Sequence, residues 1–229
     1  MVRLYSISGR EHFCGGNLLN REWIVTAGHC IRSMKENPLE DLLIRLGDYD
    51  DFEFEETEEL RAVSKIKLHK KFDYGTFDRD IALVKLAQPV DEFTDFIRPI
   101  CLLNSSFAGE IVRPGAKGLV VGWGRVEEDG HYARYMKEVK LPMRARKVCD
   151  ESTSFLFSKF MFCAGHPNER GDSCDGDSGG PFAVLHNNRW YLVGLVSWGV
   201  GCAREGQYGF YTKVPRFYSW IHVQMKKHS

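Results

Sequence analysis

The stretch that decides the fold is Arg170-Gly171-Asp172-Ser173-Cys174-Asp175-Gly176-Asp177-Ser178-Gly179-Gly180-Pro181. Glycines on both sides of Ser178 permit a tight turn that pushes its hydroxyl outward and leaves backbone N–H groups outside any strand ladder. An exposed serine beside such donors can supply the nucleophile and the oxyanion hole of a catalytic site. A base, and a group that orients the base, must come from elsewhere in the chain.

Candidates for both groups lie in the first half of the chain. His29 comes shortly after the apolar run Trp23-Ile24-Val25, so it lies just past a predicted strand. Asp80 comes directly before Ile81-Ala82-Leu83-Val84, which has the pattern of a buried strand. Each signal alone is weak, because a lone histidine is more often structural and a Gly-Ser-Gly turn is usually just a turn. In the order His29, Asp80, Ser178 they predict a catalytic triad.

From Met1 to Ser229 the sequence resembles the trypsin-like serine proteases of the chymotrypsin fold. Two segments are most similar to the clotting proteases, thrombin especially: Asn187-Asn188-Arg189-Trp190-Tyr191 and Tyr208-Gly209-Phe210-Tyr211-Thr212. The resemblance implies an all-β fold of two six-stranded antiparallel barrels with a C-terminal helix and a truncated first strand. It also implies a serine endopeptidase that cleaves after Arg or Lys, as the catalytic domain of a secreted cascade zymogen.

Composition sets limits on the class of protein. The chain has 229 residues, 43% of them hydrophobic, and a formal net charge of zero, so no bulk basic field argues for nucleic acid. No run reaches the roughly 18 apolar residues that a membrane span needs. Seven cysteines suit an oxidising, extracellular compartment. Strand patterns at 42–46, 81–86, 118–123, 136–141, 182–185, 191–197 and 209–214, with helical patterns only at 144–152 and 218–227, predict a mostly β protein.

The family resemblance implies one peptidase domain over residues 1–229. The first barrel would cover 1–103 and the second 116–215, with a helix over 216–229. The connector 104–115 is rich in Asn, Ser, Gly and Pro. Family members carry a further segment beginning Ile-Val-Gly-Gly before the strand that opens this chain. We therefore expect the chain to be a fragment that is zymogen-like, marginally folded and poorly formed at its oxyanion hole.

By resemblance, each triad member has a defined role. Ser178 attacks the scissile carbonyl, His29 takes its proton and returns it to the leaving amine, and Asp80 fixes the imidazole tautomer. The N–H groups of Gly176 and Ser178 hold the developing oxyanion.

Substrate specificity is expected to rest on Asp172, which matches the base of the primary pocket, with Gly199 and Gly209 as its small walls. A buried carboxylate demands a cationic partner, and a bidentate pair favours Arg over Lys. An integrin-binding role for Arg170-Gly171-Asp172 is disfavoured, because this aspartate should face inward. Asp175 should repel acidic residues near the cut.

The remaining substrate contacts also follow from the resemblance. Ser197-Trp198-Gly199 matches the strand that pairs with an extended substrate backbone. Phe77, Phe155 and Trp198 match aromatic walls for upstream substrate residues, and Phe77 should favour small residues next to the primary pocket. For Phe155 the alternative is simple packing beneath its own loop.

Activation and cross-linking are implied in the same way. Asp177 would turn inward to meet a newly cut α-ammonium group and so order the oxyanion hole. The implied disulfides are Cys14–Cys30, Cys149–Cys163 and Cys174–Cys202. Cys101 is left over, either to tether an upstream propeptide chain or as a free buried thiol.

No cofactor is expected for the chemistry, but two ion sites are candidates. The segment 47–59 is strongly acidic, and such runs are usually solvated. In calcium-binding relatives this loop supplies two acids ten residues apart, which Asp48 and Glu58 match. Tyr208 suggests Na⁺ binding through the carbonyls of Arg204 and Gln207. Asn104 begins a glycosylation sequon.

Three other interpretations remain open: a catalytically inactive binding module of the same fold, an inactive fragment, and a digestive trypsin. The complete triad argues against the first, and labelling by a serine-directed phosphonate would discriminate. Tyr208, Phe77 and Cys101 favour the cascade protease over the digestive one. The expected partners are protein substrates with Arg or Lys at the cut and macromolecular protease inhibitors, with neither nucleic acid nor a membrane span.

Overall fold

The structure is a computed structural model that describes residues 1–9, 11–167, 173–202 and 204–228. Arg170, Gly171 and Asp172 lie outside the described residues, so the expected base of the primary pocket has no structural account. None of the described helices is long and apolar enough to cross a membrane.

Within the described residues, six strands close into the first barrel: β1 Val2–Ser6, β2 Glu11–Leu18, β3 Trp23–Thr26, β4 Leu42–Leu46, β5 Glu59–Leu68 and β6 Ala82–Leu86. The barrel closes because β1 pairs with both β2 and β4. The sequence of β4 shows why these segments form strands. Its residues alternate between buried and half-buried positions, the two-residue period of a strand that covers a core.

The second, half-closed barrel contains the remaining described strands: β7 Cys101–Leu102, β8 Lys117–Gly122, β9 Lys137–Pro142, β10 Met161–Ala164, β11 Pro181–His186, β12 Arg189–Trp198 and β13 Gly209–Lys213. Its order is β10-β13-β12-β11-β8-β9, and β7 pairs with β12 in parallel. The fold class expected from the sequence is therefore confirmed. One detail differs, because Cys101 and Leu102 were assigned to the first barrel but pair with the second.

Turns and helices are short. The β11–β12 hairpin turns through Asn187 and Asn188, both with positive φ, which is the pattern of a type I′ turn. The described helices are α1 Gly28–Arg32, α2 Pro38–Asp41, α3 Ala108–Ile111, α4 Arg146–Glu151 and α5 Tyr218–Lys227, with a 3-10 turn at Val214–Phe217. The C-terminal helix is thus present and shorter than the sequence boundaries of 216–229.

Each barrel has its own apolar core, and a third cluster lies between them. The interface cluster packs Trp23, Val25 and Leu83 of the first barrel against Leu195 of the second and Ile221 of α5. These side chains are almost completely buried. Their burial holds the two barrels edge to edge, and the cleft between them carries the candidate site.

Among the described residues, three disulfides brace the loops: Cys14–Cys30, Cys149–Cys163 and Cys174–Cys202. They are the pairs that the family resemblance implies. The first links β2 to α1, which carries His29, and the third links the Ser178 loop to the chain beyond β12. Each closes a short loop, for which a stabilisation of about 2–4 kcal/mol is typical. Cys101 is a half-buried free thiol.

Candidate active site

His29 and Asp80 meet because their strands are neighbours. α1 begins two residues after the end of β3, Asp80 lies two residues before β6, and Thr26 of β3 pairs with Ala82 of β6. The Asp80 carboxylate accepts a hydrogen bond from His29 Nδ1 at 2.7 Å and another from the His29 backbone N–H at 2.7 Å. With its proton on Nδ1, the imidazole presents Nε2 as a proton acceptor.

The second barrel completes the environment of Asp80. Ser197 Oγ donates to the Asp80 carboxylate at 2.5 Å, and Thr212 Oγ1 donates to its backbone carbonyl at 2.7 Å. Asp80 is fully buried, so these donors replace the water that its charge would otherwise need. The family resemblance implied only a substrate-binding role for Ser197, and Thr212 was not expected, since nothing local to a buried strand marks a contact 132 residues away.

Two left-handed glycines shape the turn that carries Ser178. Gly176 has φ +95° and Gly179 has φ +77°. A Cβ on Gly179 would lie 2.3 Å from Thr26 Oγ1 and 2.4 Å from the Gly15 carbonyl, so only glycine fits. Ser178 O accepts a hydrogen bond from the Gly15 N–H at 2.7 Å. The turn is therefore pressed against the end of β3, close to His29.

The turn leaves backbone donors available beside the serine. Within the described part of the chain, neither the Gly176 nor the Ser178 N–H donates a hydrogen bond. His12 Nε2 donates to the Gly176 carbonyl at 3.2 Å, in the peptide unit that lies between these two donors. Burial lowers the pKa of His12 to about 3, so the ring stays neutral and the contact persists at physiological pH. His12 was not among the residues expected from the sequence.

Asp177 points away from the cleft, into the second barrel. Its carboxylate accepts hydrogen bonds from the Gly124 N–H at 2.8 Å and the Cys174 N–H at 3.0 Å. Burial raises its pKa to about 6, because the two donors only partly offset the lost hydration. It borders a cavity of about 290 Å³ that is lined by residues of 120–126 and 137–139. In the part of the chain that the structure describes, no ion pair reaches this carboxylate, although Arg125 and Lys137 line the same cavity, so its charge is poorly compensated.

A cleft of about 570 Å³ runs past Ser178. Phe77, Phe155 and Trp198, to which the family resemblance assigns aromatic walls, all line it. Phe77 makes an edge contact with the His29 ring at 5.4 Å, and Phe155 makes one with Trp198 at 6.0 Å. The aromatic wall therefore begins at the imidazole.

Small residues keep another part of the cleft open. Gly199 and Gly209 both line it, and a Cβ on Gly199 would meet only ordinary van der Waals contacts. Packing therefore does not require this glycine, and a side chain there would fill the cleft itself. The two positions match the pocket walls that the resemblance implies.

Acidic side chains surround the cleft. The Asp175 side chain is 79% exposed and lies 3.9 Å from Arg125. Glu128 and Asp129 also line the cleft, and sequence reasoning missed both. Glu128 accepts hydrogen bonds from the Arg204 guanidinium and the Cys202 N–H, which lowers its pKa and joins its loop to the cleft wall. No local sequence signal marks this pair, which spans 76 residues.

The acidic segment 47–59 folds back on the protein. Arg3, which is fully buried, donates to Asp48 at 2.9 Å and lies 2.6 Å from Asp51. Arg45 pairs with Glu58. Carboxylate oxygens of Asp48, Glu55 and Glu58 all lie within 4.8 Å of one another. Asp48 Oδ1 is buried without a hydrogen-bond partner in the described structure, and burial raises the pKa of Asp48.

The other expected features occupy defined positions. Gln207 N–H donates to the Arg204 carbonyl at 3.1 Å, which closes the turn before the buried Tyr208. A carbonyl has two lone pairs, so the Arg204 oxygen keeps one for a cation. Asn104 is exposed, and its side chain accepts from the Phe107 N–H at 2.9 Å.

A two-barrel fold in which a hydrogen-bonded His–Asp pair of the first barrel lies near a serine turn of the second is the arrangement found in trypsin-like serine endopeptidases. The family profile described as "Trypsin" matches residues 1–221, and the chain belongs to that family. It is 39% identical over 220 residues to vitamin K-dependent protein C of Mus musculus, a match covering 94% of this chain. The chain spans 46% of the length of that relative.

Proposed function

We propose that the chain is the catalytic part of a secreted cascade zymogen and that it cleaves protein substrates after Arg or Lys. The observation that carries the proposal is the buried Asp80 carboxylate, which is bonded to His29 Nδ1 at 2.7 Å and to Ser197 Oγ at 2.5 Å. This arrangement holds the imidazole in the tautomer that can accept a serine proton. Protein substrates and macromolecular inhibitors of this specificity are the proposed partners.

The proposed reaction uses the chain's own groups throughout. Ser178 Oγ attacks the scissile carbonyl while His29 Nε2 takes its proton, and Asp80 stabilises the resulting imidazolium. The N–H groups of Gly176 and Ser178 hold the oxyanion, each contributing about 3 kcal/mol to the barrier reduction. The C–N bond then breaks as His29 returns the proton to the leaving amine, and a water activated by His29 hydrolyses the acyl-enzyme.

Arg specificity is assigned to Asp172, with Gly199 and Gly209 leaving room for a long side chain. A guanidinium can form two parallel hydrogen bonds with a carboxylate, which an ammonium cannot, so Arg is preferred over Lys. Trp198 ends β12, Gly199 follows it, and both line the cleft, which supports their proposed pairing with an extended substrate backbone. Phe77 and Phe155 are assigned to upstream substrate residues and Asp175 to the exclusion of acidic ones.

The central experiment combines labelling with kinetics. We expect a serine-directed phosphonate to label the activated protein but not Ser178→Ala, whereas Ser173→Ala, a second cleft serine, is labelled normally. Asp172→Ser should lower kcat/KM on an Arg amide about a hundredfold, since losing a buried charge partner costs about 3 kcal/mol. Labelling of Ser178→Ala, or an unchanged kcat/KM in Asp172→Ser, would contradict the assignments.

Asp177 is proposed as the activation switch. Its raised pKa and the adjoining cavity of about 290 Å³ support a site that can take an α-ammonium group. Pairing with that cation would stabilise the ionised carboxylate in its inward position. That position in turn fixes the conformation of the Gly176–Ser178 turn. The pH dependence of the free energy of unfolding tests this role.

Two ions are proposed to stabilise the fold. Asp48, Glu55 and Glu58 fit Ca²⁺, because their oxygens converge and Asp48 Oδ1 lacks a partner in the described structure.

The turn at Arg204 and Gln207 fits Na⁺ through its carbonyls. Activity should rise when NaCl replaces choline chloride at constant ionic strength, in Tyr208→Phe as in the parent, but not in Tyr208→Pro. Equal rates of the parent in both salts would exclude sodium control.

Cys101 is proposed to tether an upstream propeptide chain, which its half-buried free thiol permits. After activation of the full-length protein, the two chains should separate on a gel only with reductant. Separation without reductant would rule the tether out.

Asn104 is exposed, which supports glycosylation at its sequon. A glycosidase-sensitive mass shift that is lost in Asn104→Gln would test it.

A further inference from the structure

A short stretch of backbone beside His29 has an unusual conformation. Phe77 has φ +55° and Arg79 has φ +57°, both in the left-handed region. The other described non-glycine residues in that region are Asn or Asp, whose short polar side chains tolerate it, whereas a bulky residue there is an outlier. Such outliers persist only where surrounding contacts impose them, and they cluster at functional sites. The contacts that impose this conformation are therefore candidates for a functional role.

Hydrogen bonds inside the loop explain its shape. The Asp73 N–H donates to the Asp78 carbonyl at 3.0 Å, and this pair closes what we call the 73–78 loop. The Asp73 carboxylate accepts hydrogen bonds from the Gly75 N–H at 2.9 Å and the Thr76 N–H at 3.2 Å. All these bonds lie within the loop, so they do not fix its position relative to the second barrel.

A side-chain contact anchors the 73–78 loop to the second barrel. Ser158 Oγ donates to the Asp78 carboxylate at 2.5 Å, across 80 residues of sequence. Ser158 lies in the segment between α4 and β10. The Arg79 guanidinium pairs with the same carboxylate and lies 4.2 Å from the centre of the Phe160 ring, in the same segment as Ser158. Asp78 therefore joins the two barrels at the residue between the two backbone outliers.

The two segments joined by this bond both form walls of the cleft. Phe77 lies directly before Asp78 and lines the cleft, and its ring meets the His29 ring edge-on at 5.4 Å. Phe155, in the segment that carries Ser158, lines the same cleft. The Asp78–Ser158 bond therefore fixes the position of one cleft wall against the other, one wall coming from each barrel.

We infer that Ser158 is a positioning residue that limits the size of the substrate residue next to the primary pocket, an inference that rests on the proposed protease function. Through Asp78, Ser158 holds the Phe77 ring against His29, where it occupies space that a large substrate side chain needs. Without this bond the outlying backbone at Phe77 can relax, and the ring can move away from the imidazole. A hydrophobic pocket discriminates side chains by size, so its selectivity depends on how firmly the wall is held.

The test compares two Arg amides that differ in the residue before Arg, which is Gly in one and Leu in the other. Ser158→Ala should raise kcat/KM on the Leu amide about fivefold relative to the Gly amide, mainly through KM, because the room in the cleft changes and the chemistry does not. Ser158→Thr keeps a hydroxyl and should retain the parent's ratio. The matched control is Ser152→Ala, which should also retain it. Ser152 is half-buried, and its hydroxyl donates to the Cys149 carbonyl at 2.8 Å, within the second barrel.

A second variant separates the bond between barrels from a local role of Ser158. Ser158 Oγ also accepts a hydrogen bond from the Phe160 N–H at 3.1 Å, which Ser158→Ala removes and Asp78→Ala does not. Asp78→Ala should change the ratio as Ser158→Ala does, and the double variant should change it no further, since both remove the same bond. Additive changes, or an unchanged ratio in Ser158→Ala, would overturn the proposal. An equal fall of kcat on both amides would also overturn it, because the bond would then support the catalytic pair.

Hydrogen exchange tests the anchor without turnover. The amide hydrogens of the 73–78 loop should exchange about tenfold faster in Ser158→Ala than in the parent or Ser152→Ala, because opening of the loop no longer breaks a bond to the second barrel. Unchanged exchange would overturn the proposal whatever the ratio of the two amides. Cleavage of neither amide by the activated parent would contradict the proposed function, and the exchange rates would still decide whether Ser158 positions the loop.

Discussion

At the scale of single residues, the protonation behaviour of the Asp177 carboxyl group is set by its surroundings in the fold. The local sequence marks Asp177 only as the neighbour of Ser178, and the inward turn of its carboxylate was expected from the family resemblance alone. Burial behind the Ser178 turn raises its pKa to about 6, and two backbone N–H groups are its described donors. Such placement could not be predicted from composition, because the direction of the side chain depends on the left-handed Gly176 before it and on Gly124, 53 residues away.

The raised pKa predicts an unusual pH dependence. Since the folded form binds the Asp177 proton more tightly than the unfolded chain, its contribution to stability is complete below pH 4 and lost as pH rises through about 6. The loss is about 3 kcal/mol, from a shift of roughly two pKa units. Urea unfolding of the 229-residue chain from pH 4 to 7 should show this fall relative to Asp177→Asn, which lacks the titrating group.

Two comparisons make the prediction specific. Asp175→Asn, which removes the exposed acid nearby, should keep the parent's pH profile. In a form activated by a new α-ammonium group, the carboxylate gains a cation and the fall should disappear. If Asp177→Asn loses stability with pH as the parent does, other groups are responsible.

At the scale of elements, the strands were the predictable part of the fold and the acidic segment was not. The short apolar run at 42–46 predicted β4 with its observed bounds. The segment 47–59 was interpreted as a solvated face or an ion site. The structure adds contacts to the second half of the chain that neither interpretation included: Trp123 Nε1 donates to the Tyr49 carbonyl at 3.0 Å, and Arg134 makes a bidentate pair with Asp50. Those partners are 74 and 84 residues away, beyond the reach of a local pattern.

The same segment carries the calcium prediction. With 1 mM CaCl₂, but not MgCl₂, the melting temperature should rise by several degrees, because a bound ion stabilises the folded state by mass action. Asp48→Asn should abolish the rise, whereas Glu56→Gln, an acid of the same segment outside the cluster, should keep it. Absence of any rise would mean that Arg3 and Arg45 already neutralise these carboxylates.

At the scale of the whole molecule, the candidate site depends on contacts between barrels. His29 and Asp80 belong to the first barrel, while Ser178, Ser197 and Thr212 belong to the second. Asn17 Nδ2 adds a hydrogen bond to the Gly179 carbonyl at 3.0 Å. Motif order could predict which residues form the triad, but not the supporting donors, because Ser and Thr in buried strands have no distinguishing local pattern.

The cross-barrel donors should affect catalysis more than binding. Ser197→Ala removes a hydrogen bond to a buried charge, worth about 1.5–3 kcal/mol. We expect kcat to fall about tenfold with KM little changed, since the imidazolium is less well stabilised when it forms. Ser64→Ala is the control, because that hydroxyl bonds the carbonyls of Lys85 and Leu86 inside the first barrel. A kcat equal to the parent's would show that Ser197 is not needed to position the pair.

The three disulfides close loops of 16, 14 and 28 residues, and each lies within one barrel or its own loops. A chain divided inside the connector 104–115 therefore becomes two pieces with no described covalent link, one holding His29 and Asp80 and the other Ser178. The first piece also carries β7, a strand that only the second can pair. Expressed separately, the halves should complement each other as a split enzyme. If each half is fused to one of two proteins that bind each other, association of those proteins should restore cleavage of a chromogenic amide.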